Sequence, residues 1–408
     1  MNSLELEGDI KNTVDDYLAH SDNISIEEIC EYVIEILKNL YEKKNKLYWG
    51  FEPYIRQIIS LYKPKIYGYY YNDFQIKDRS STVAYLKTIP QYEQRTPEWF
   101  EQKTNTIGAS ESACLFDLNP YSKESELILR KCGWENTAKM NSSRMEEACE
   151  HGTKFEPIVQ MLYCLREKTE LFEFGSIVHE EHSIISASPD GITPKGIMVE
   201  IKVPLNRKIT GIPPPYYWVQ MQQQMQVCNL DLVHFIECRI EEYDSRESYK
   251  SDYIGEDKDV FLTSDNLEKG VLVVYININD SKKGYIYPDR LLKTSEIAAF
   301  VKNTKKILDK DDSKMFACEK YWKLVKYSKT VVWRDEEWWK KNVYKFMDVW
   351  KKIEHYKENG YESLIPKKKE YIKKDVTCMI ESDTESIEIK PPKITSNNDT
   401  CLINSDED

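Results

Sequence analysis

The stretch Ser188-Pro189-Asp190-Gly191-Ile192-Thr193-Pro194-Lys195-Gly196-Ile197-Met198-Val199-Glu200-Ile201-Lys202 decides the fold. Apolar runs flank its middle: Ile184 and Ile185 before, and Ile197, Met198 and Val199 after. Gly191, Pro194 and Gly196 lie between them. Two β-branched runs around a Gly/Pro turn predict a hairpin. Side chains alternate along a strand, so Glu200 and Lys202 project to one side and Ile201 to the other. Asp190 falls near the end of the first strand, close to that pair. Two carboxylates and one ammonium then converge, a group that a core does not bury without compensation. A hard divalent cation, which prefers oxygen ligands, provides it.

The whole chain bounds this reading. Its 408 residues, 41% of them hydrophobic, suffice for one large domain or two moderate ones. No apolar run reaches the roughly 18 residues of a membrane span. The acidic, polar start is unlike a secretory signal. Ten cysteines without a CxxC predict reduced thiols in an intracellular, reducing compartment. The net charge of −12 speaks against a nucleic-acid partner, but its distribution is uneven. Residues 301–374 carry 21 Lys and Arg against 12 Asp and Glu, residues 375–408 carry 2 against 9, and residues 1–300 carry 34 against 48. A basic block beside an acidic tail describes either a positive surface screened by the tail or an ordinary solvated face with a disordered end.

Residues 1–90 read as a helical, tyrosine-rich accessory region, with a conspicuous cluster at 67–71. In residues 95–116, Thr96 caps a helix that begins with Pro97, and Gly108-Ala109-Ser110 opens the next. Lys103 lies about two turns upstream of those small residues as a charge donor. Residues 144–168 form a long helix with the apolar stripe Phe155, Ile158, Val159, Leu162 and Leu165. Glu156 lies beside that stripe. After three prolines a helix begins near Tyr216, and Gln220 and Gln224 share a face with Tyr217. Strands follow at 232–240 and 270–278, and a helix at 295–308. The order predicts an α/β or α+β core, a central mixed sheet flanked by helices. Residues 309–374 hold five of the nine tryptophans among many lysines and predict a basic helical extension. A tryptophan core explains them better than a nucleic-acid surface does. Residues 375–408 have the composition of a disordered acidic tail.

Asp190 followed by Glu200-Ile201-Lys202 resembles the PD-(D/E)XK nuclease signature, with Pro189 as its proline. Glu156 after a glycine, the SPDG and EIK segments, Tyr217 with Gln220 and Gln222, and RTPEWFEQK…IGASE upstream together resemble the λ-exonuclease/YqaJ-type viral recombinase branch, over roughly residues 93–308. The resemblance implies a restriction-endonuclease-like nuclease core at 91–308 with helical extensions on both sides, and a source in a large DNA virus. It implies a DNA exonuclease acting 5′→3′ on duplex with a free end. The alternatives are a structure-specific endonuclease on the same fold and a non-catalytic DNA-binding scaffold. Asp190, Glu200 and the Ile201 carbonyl would hold one or two Mg²⁺ or Mn²⁺ ions, with Glu156 on a metal-bound water or second cation. Lys202 would position or activate the attacking water. Ser110, Ser188, Tyr217, Gln220 and Gln222 would contact substrate or site. Lys103 stands where phage enzymes carry an arginine for the 5′-phosphate, and a lysine lacks the bidentate fork. Cys318, Cys378 and Cys401 are too far apart in sequence for the iron–sulfur cluster of some relatives. A single-strand annealing protein and self-association are the protein partners implied, without a membrane. The compartment would be the host cytoplasm, a viral factory or the virion.

Overall fold

The computed structural model describes residues 3–20, 26–43, 52, 55–56, 58–59, 77–92, 96–134 and 143–366. All but Pro366 belong to one compact unit, Met1–Ile365. The tyrosine cluster at 67–71, the tail at 375–408, and Cys378 and Cys401 lie outside the described residues. None of the described helices is long and apolar enough to cross a membrane.

Helices α1 (Ser3–His20) and α2 (Ile26–Lys43) pack against each other through Leu6, Ile10 and Val14 on one and Ile29, Val33 and Leu37 on the other. The three- and four-residue spacings put each set on one face. Short α3 (Ser80–Leu86) and α4 (Pro97–Thr104) follow. α4 starts as its sequence predicts, with the Thr96 hydroxyl accepting from the Trp99 amide and proline in the first turn. Strand β1 (Ile107–Gly108) then runs into a 3-10 helix, Ala109–Phe116, and α5 covers Glu124–Lys131. The long helix α6 spans Ser143–Glu167. It precedes the short strands β2 (Ile177–Val178), β3 (Ile185–Ala187) and β4 (Gly191–Ile192), and then β5 (Met198–Lys202). Helix α7 (Pro215–Cys228) leads to β6 (Leu232–Glu242) and α8 (Arg246–Ser251). The chain continues through β7 (Lys269–Asn277), β8 (Lys283–Ile286), α9 (Thr294–Leu308), β9 (Lys314–Trp333) and α10 (Glu336–Asn359).

The main sheet has six strands in the order β4-β5-β6-β9-β7-β8. β5 and β6 are parallel, with Glu200 opposite Phe235 and Lys202 opposite Glu237, and the remaining pairs are antiparallel. A parallel pair needs a crossover, and α7 is it. A second sheet joins β1, β3 and β2. The sheet is mixed and flanked by helices, the expected fold class.

Two expectations are corrected. The hairpin at the decisive stretch is β4–β5, and the Ile184–Ile185 run lies apart from it, because β3 belongs to the smaller sheet. The chain crosses from one sheet to the other at Ser188-Pro189-Asp190, so Asp190 sits at the crossing and not at the end of one continuous strand. The turn closes through Gly196, whose φ of 83° suits glycine; a Cβ there would also run into Arg79.

The second correction concerns residues 309–374. Residues 314–333 are not helical; they form β9, between β6 and β7 in the sheet. Its ladders shift between Arg239 and Ile240 on β6 and between Val274 and Tyr275 on β7. Each bulge inserts one extra residue, so the face pattern along β9 is not a simple alternation. Trp322 is buried in the sheet, and Trp338 and Trp339 are buried with Phe116 and Phe346. Three of the five tryptophans are therefore core, and Trp333 and Trp350 are half-buried. Much of the basic charge is paired locally: Lys320 with Glu242, Lys323 with Glu241, Lys329 with Glu167 and Lys352 with Glu124.

The core lies on both faces of the main sheet. On one, α7, the 3-10 helix and α10 pack over Met198, Val233 and Phe235. On the other, Phe155, Ile158, Val159 and Leu162 of α6 pack over Val199, Ile201 and Val203. Alternation along β5 therefore sends Glu200 and Lys202 toward α7.

Candidate active site

The site forms where β5 meets the N-terminal half of α7. Glu200 is fully buried, and both its oxygens are engaged. Oε1 accepts from Gln220 Nε2 at 2.6 Å, and Oε2 accepts from Gln224 Nε2 at 2.7 Å. Lys202 Nζ ion-pairs with the same Oε1. One helical turn separates the two glutamines, so both amides reach one carboxylate. Lys202 also lies over the Tyr217 ring, 5.0 Å from its centroid. Tyr217 stands three residues before Gln220 on α7 and shares the glutamines' face, as the spacing predicts.

Asp190 closes the site from the sheet crossing. Its Oδ2 accepts from the Ile201 amide at 2.7 Å, which ties the crossing to β5. Its carbonyl accepts from Gln160 of α6 at 2.9 Å. Burial drives the Asp190 carboxyl well above the ordinary carboxylate range. Glu200 and Glu156 push it further, while Lys202 and the Ile201 amide oppose them. Burial pulls Lys202 down, but Glu200 and Asp190 more than offset it, and the ammonium is held above the ordinary lysine range.

Glu156 stands one turn before Gln160 on α6 and acts on Asp190 through its charge. Its helix covers the Val199 and Ile201 side of β5, whereas Glu200 faces α7. Glu156 thus approaches Asp190 from the opposite side of the strand. Among the described residues no three His, Cys, Asp or Glu side chains come together as a ready-made metal cage. A hard cation still fits: Mg²⁺ is commonly held by one or two carboxylates, with water and substrate phosphate completing the shell. Asp190 and Glu200 provide two carboxylates. The charge repulsion on Asp190 and the buried, unpartnered Oε1 of Gln224 mark a place short of positive charge.

One expected contact is corrected. Gln222 is turned away from the site: its Nε2 donates to the Trp333 carbonyl at 2.8 Å and its Oε1 accepts from the Asp335 amide at 2.7 Å. It ties α7 to the junction of β9 and α10. Gln224 joins Gln220 at the carboxylate instead. Ser188 is half-buried two residues before Asp190, and Ser110 is exposed at the start of the 3-10 helix.

Lys103 lines a separate cavity of about 680 Å³, together with Arg130, Lys131 and Glu111. Its ammonium lies over Trp99 at 4.3 Å. Burial lowers it, with Arg130 adding to the effect and Glu111 opposing. Glu111 receives Lys131 at 2.7 Å, Arg130 at 3.1 Å and the Gly108 amide at 3.0 Å. Burial raises Glu111, yet these donors win and it stays below the ordinary range.

Two cations escaped the sequence reading. Arg130 is one. Arg207, in the loop after β5, is the other: it lies 5.6 Å from the Tyr217 centroid and ion-pairs with fully buried Glu237. Arg239 holds the loop by donating to the carbonyls of Leu205 and Arg207. A single arginine in a loop carries no periodic signal, and the Lys202–Glu237 register brings Arg207 to the site; Arg130 sits in the last turn of α5.

Comparison with known proteins bears on this geometry. Residues 98–231 match the YqaJ-like viral recombinase domain family. The YqaJ-like segment includes Lys103, Asp190, Glu200, Lys202 and the α7 glutamines, so the resemblance read from the sequence holds there. Uncharacterized protein R354 of Acanthamoeba polyphaga mimivirus is 34% identical over 246 residues, 53% of this chain and 44% of that protein. A protein of African swine fever virus (strain Badajoz 1971 Vero-adapted) is 29% identical over 171 residues, 34% of this chain and 47% of that protein. The chain thus spans less than half the length of either relative. Among solved structures, an alkaline exonuclease (LHK-Exo) from Laribacter hongkongensis aligns with 18% identity and a TM-score of 0.37, over 64% of this chain and 95% of that one. Its complex with dAMP aligns with 20% identity and the same score.

Proposed function

We propose that this protein is a divalent-cation-dependent deoxyribonuclease that digests duplex DNA from a free end, 5′→3′. One observation carries the reading: Asp190, Glu200 and Lys202 converge at one place, with the carboxylate of Glu200 fixed by two buried glutamines. Such an arrangement is matched to a phosphodiester, where negative charge grows during attack and a preorganised cation is worth most.

Asp190, Glu200 and the Ile201 carbonyl would hold the Mg²⁺ or Mn²⁺. When bound, the cation supplies charge stabilisation and a more acidic water. The remaining work falls to side chains. Lys202, braced by Glu200 and Tyr217, faces the attacking water or the phosphate oxygens. Gln220 and Gln224 keep Glu200 from turning. Arg207 offers a second charge beside Tyr217 for a neighbouring phosphate. Glu156 biases Asp190 from the α6 side. At the other cavity, Lys103 and Arg130 would take the 5′-terminal phosphate, with Ser110 and Ser188 as further contacts. Arg130 provides the planar fork that Lys103 lacks. The single strand left behind is the substrate of an annealing protein, the partner class that this product requires.

The test is digestion of linear and covalently closed circular duplex in Mg²⁺, with 5′-phosphorylated and 5′-hydroxyl linear ends and Glu200→Gln as control. Digestion of linear DNA alone, lost in the control, is expected. Cutting of the closed circle gives an endonuclease instead, and no cutting of either leaves a DNA-binding scaffold.

A further inference from the structure

Three tyrosine rings connect the Lys103 cavity to Lys202. Tyr121 lines that cavity and is 62% exposed. Its ring meets Tyr216 edge-on, with centroids 6.2 Å apart and planes at 83°. Tyr216 meets Tyr217 at 4.3 Å, and Tyr217 lies under Lys202. The exposure of Tyr121 shows that it is not a core residue.

The loop presenting Tyr121 is held in place. Asn119 Oδ1 accepts from the amides of Tyr121 at 2.9 Å and Ser122 at 3.2 Å. Arg130 in turn donates to the Ser122 hydroxyl at 3.2 Å. The stacking ring and the cation are therefore parts of one braced unit. A ligand that spans it needs an anionic group at Lys103 and Arg130, a flat apolar body at the tyrosines, and an anionic group at Lys202. A polynucleotide has that repeat: phosphate, base, phosphate.

We propose that Tyr121 and Tyr216 form a stacking platform for the base of the 5′-terminal nucleotide, between the Lys103–Arg130 cavity and the Asp190–Glu200–Lys202 site. This rests on the reading of the latter as a DNA-hydrolysing centre and adds a contact to the base, independent of its identity because every base has a π face.

The experiment uses the full chain in a Glu200→Gln background, so that DNA is held without turnover. Fluorescence anisotropy compares duplexes whose 5′-terminal nucleotide carries a base or is abasic. The base is expected to tighten binding at least about fivefold, the low end of single-base stacking. Tyr121→Ala should bring that ratio close to one, and Tyr121→Phe should keep it, since the ring and not the hydroxyl is used. Equal binding of both ends, or an unchanged ratio in Tyr121→Ala, overturns the platform. If base-independent binding accompanies end-specific digestion by the unmodified chain, only the platform falls. If neither end is bound and no DNA is digested, the nuclease reading falls with it.

Discussion

Replacing Lys202 by methionine keeps the side chain's length and removes its charge. In the structure Lys202 pairs with Glu200 and is the ammonium that counters the charge on Asp190. Its removal leaves the two carboxylates, with Glu156 beyond, facing one another across a buried space. Breaking a buried pair costs about 3–5 kcal/mol. Lys202 retains some solvent exposure and Glu200 keeps both glutamine amides, so the lower end, about 3 kcal/mol, applies. Urea denaturation in EDTA measures this loss. Adding Mg²⁺ should restore much of it, because a cation at about 100 times its Kd adds about 2.7 kcal/mol to the folded state. The variant should gain more from the cation than the unmodified chain does, its site being more negative. Hydrolysis should nevertheless stay about 100- to 1,000-fold down, as for loss of one preorganised transition-state donor. Full hydrolysis in the cation-stabilised variant would refute the role of Lys202. Absence of any cation-dependent stabilisation, in variant and unmodified chain alike, would refute the metal site.

The two glutamines separate site from scaffold. Gln224→Leu removes a hydrogen bond to a charged group, worth about 1.5–3 kcal/mol, and should lower kcat/KM about tenfold or more. Gln222→Leu removes the hydrogen bonds to the Trp333 carbonyl and the Asp335 amide, so it should lower the urea midpoint while kcat/KM per folded molecule holds. Arg207→Ala should weaken DNA binding regardless of sequence and reduce the salt slope by about 1, measured by anisotropy over a salt series. A separate measurement is stability against pH. Burial lowers His234 from its ordinary 6.5 to about 4. The unfolded chain therefore takes up the proton first, so this contribution is present above 6.5 and is lost as pH falls toward 4. From about pH 6.5 to about pH 5 the loss is about 1.6 kcal/mol, with a slope of about 1.2 kcal/mol per unit at the lower end. His234→Phe should remove that part of the decline in denaturation curves; an unchanged decline sinks the assignment.

Some of this molecule follows from local rules and some does not. The Glu200–Lys202 pairing follows from the two-residue period of a strand, and the reach of Gln220 and Gln224 from one helical turn. Neither spacing depends on the rest of the fold, although bringing the amides to Glu200 needs α7 packed over β5. Glu156 depends on which sheet face α6 covers, and a helix stripe leaves that open. The split of the first hairpin strand depends on a proline at the point where the chain changes sheets. β9 was hidden because its bulges break the two-residue alternation by which a strand is read.

Charge was the least legible quantity. Segment totals left residues 301–374 open as a surface for a polyanion, yet their lysines pair with Glu167, Glu241 and Glu242 once β6 and β9 are in register. The cations at the two candidate subsites, Lys103, Arg130, Lys202 and Arg207, all come from residues 1–300, where acids outnumber bases by 48 to 34. Each of them stands beside a carboxylate: Glu111 for Lys103 and Arg130, Glu200 for Lys202, Glu237 for Arg207. A buried carboxylate fixes a cation's position and offsets the cost of desolvating it, so an acidic segment can build a phosphate-binding site that its net charge conceals. The same pairing explains why neutralising Glu237 should act on DNA in the direction of removing Arg207. Glu237→Gln leaves the guanidinium charged but frees it to turn, so affinity should fall less than in Arg207→Ala while the salt slope stays near that of the unmodified chain. A slope reduced as far as in Arg207→Ala would mean that Arg207 meets no phosphate unless Glu237 is ionised.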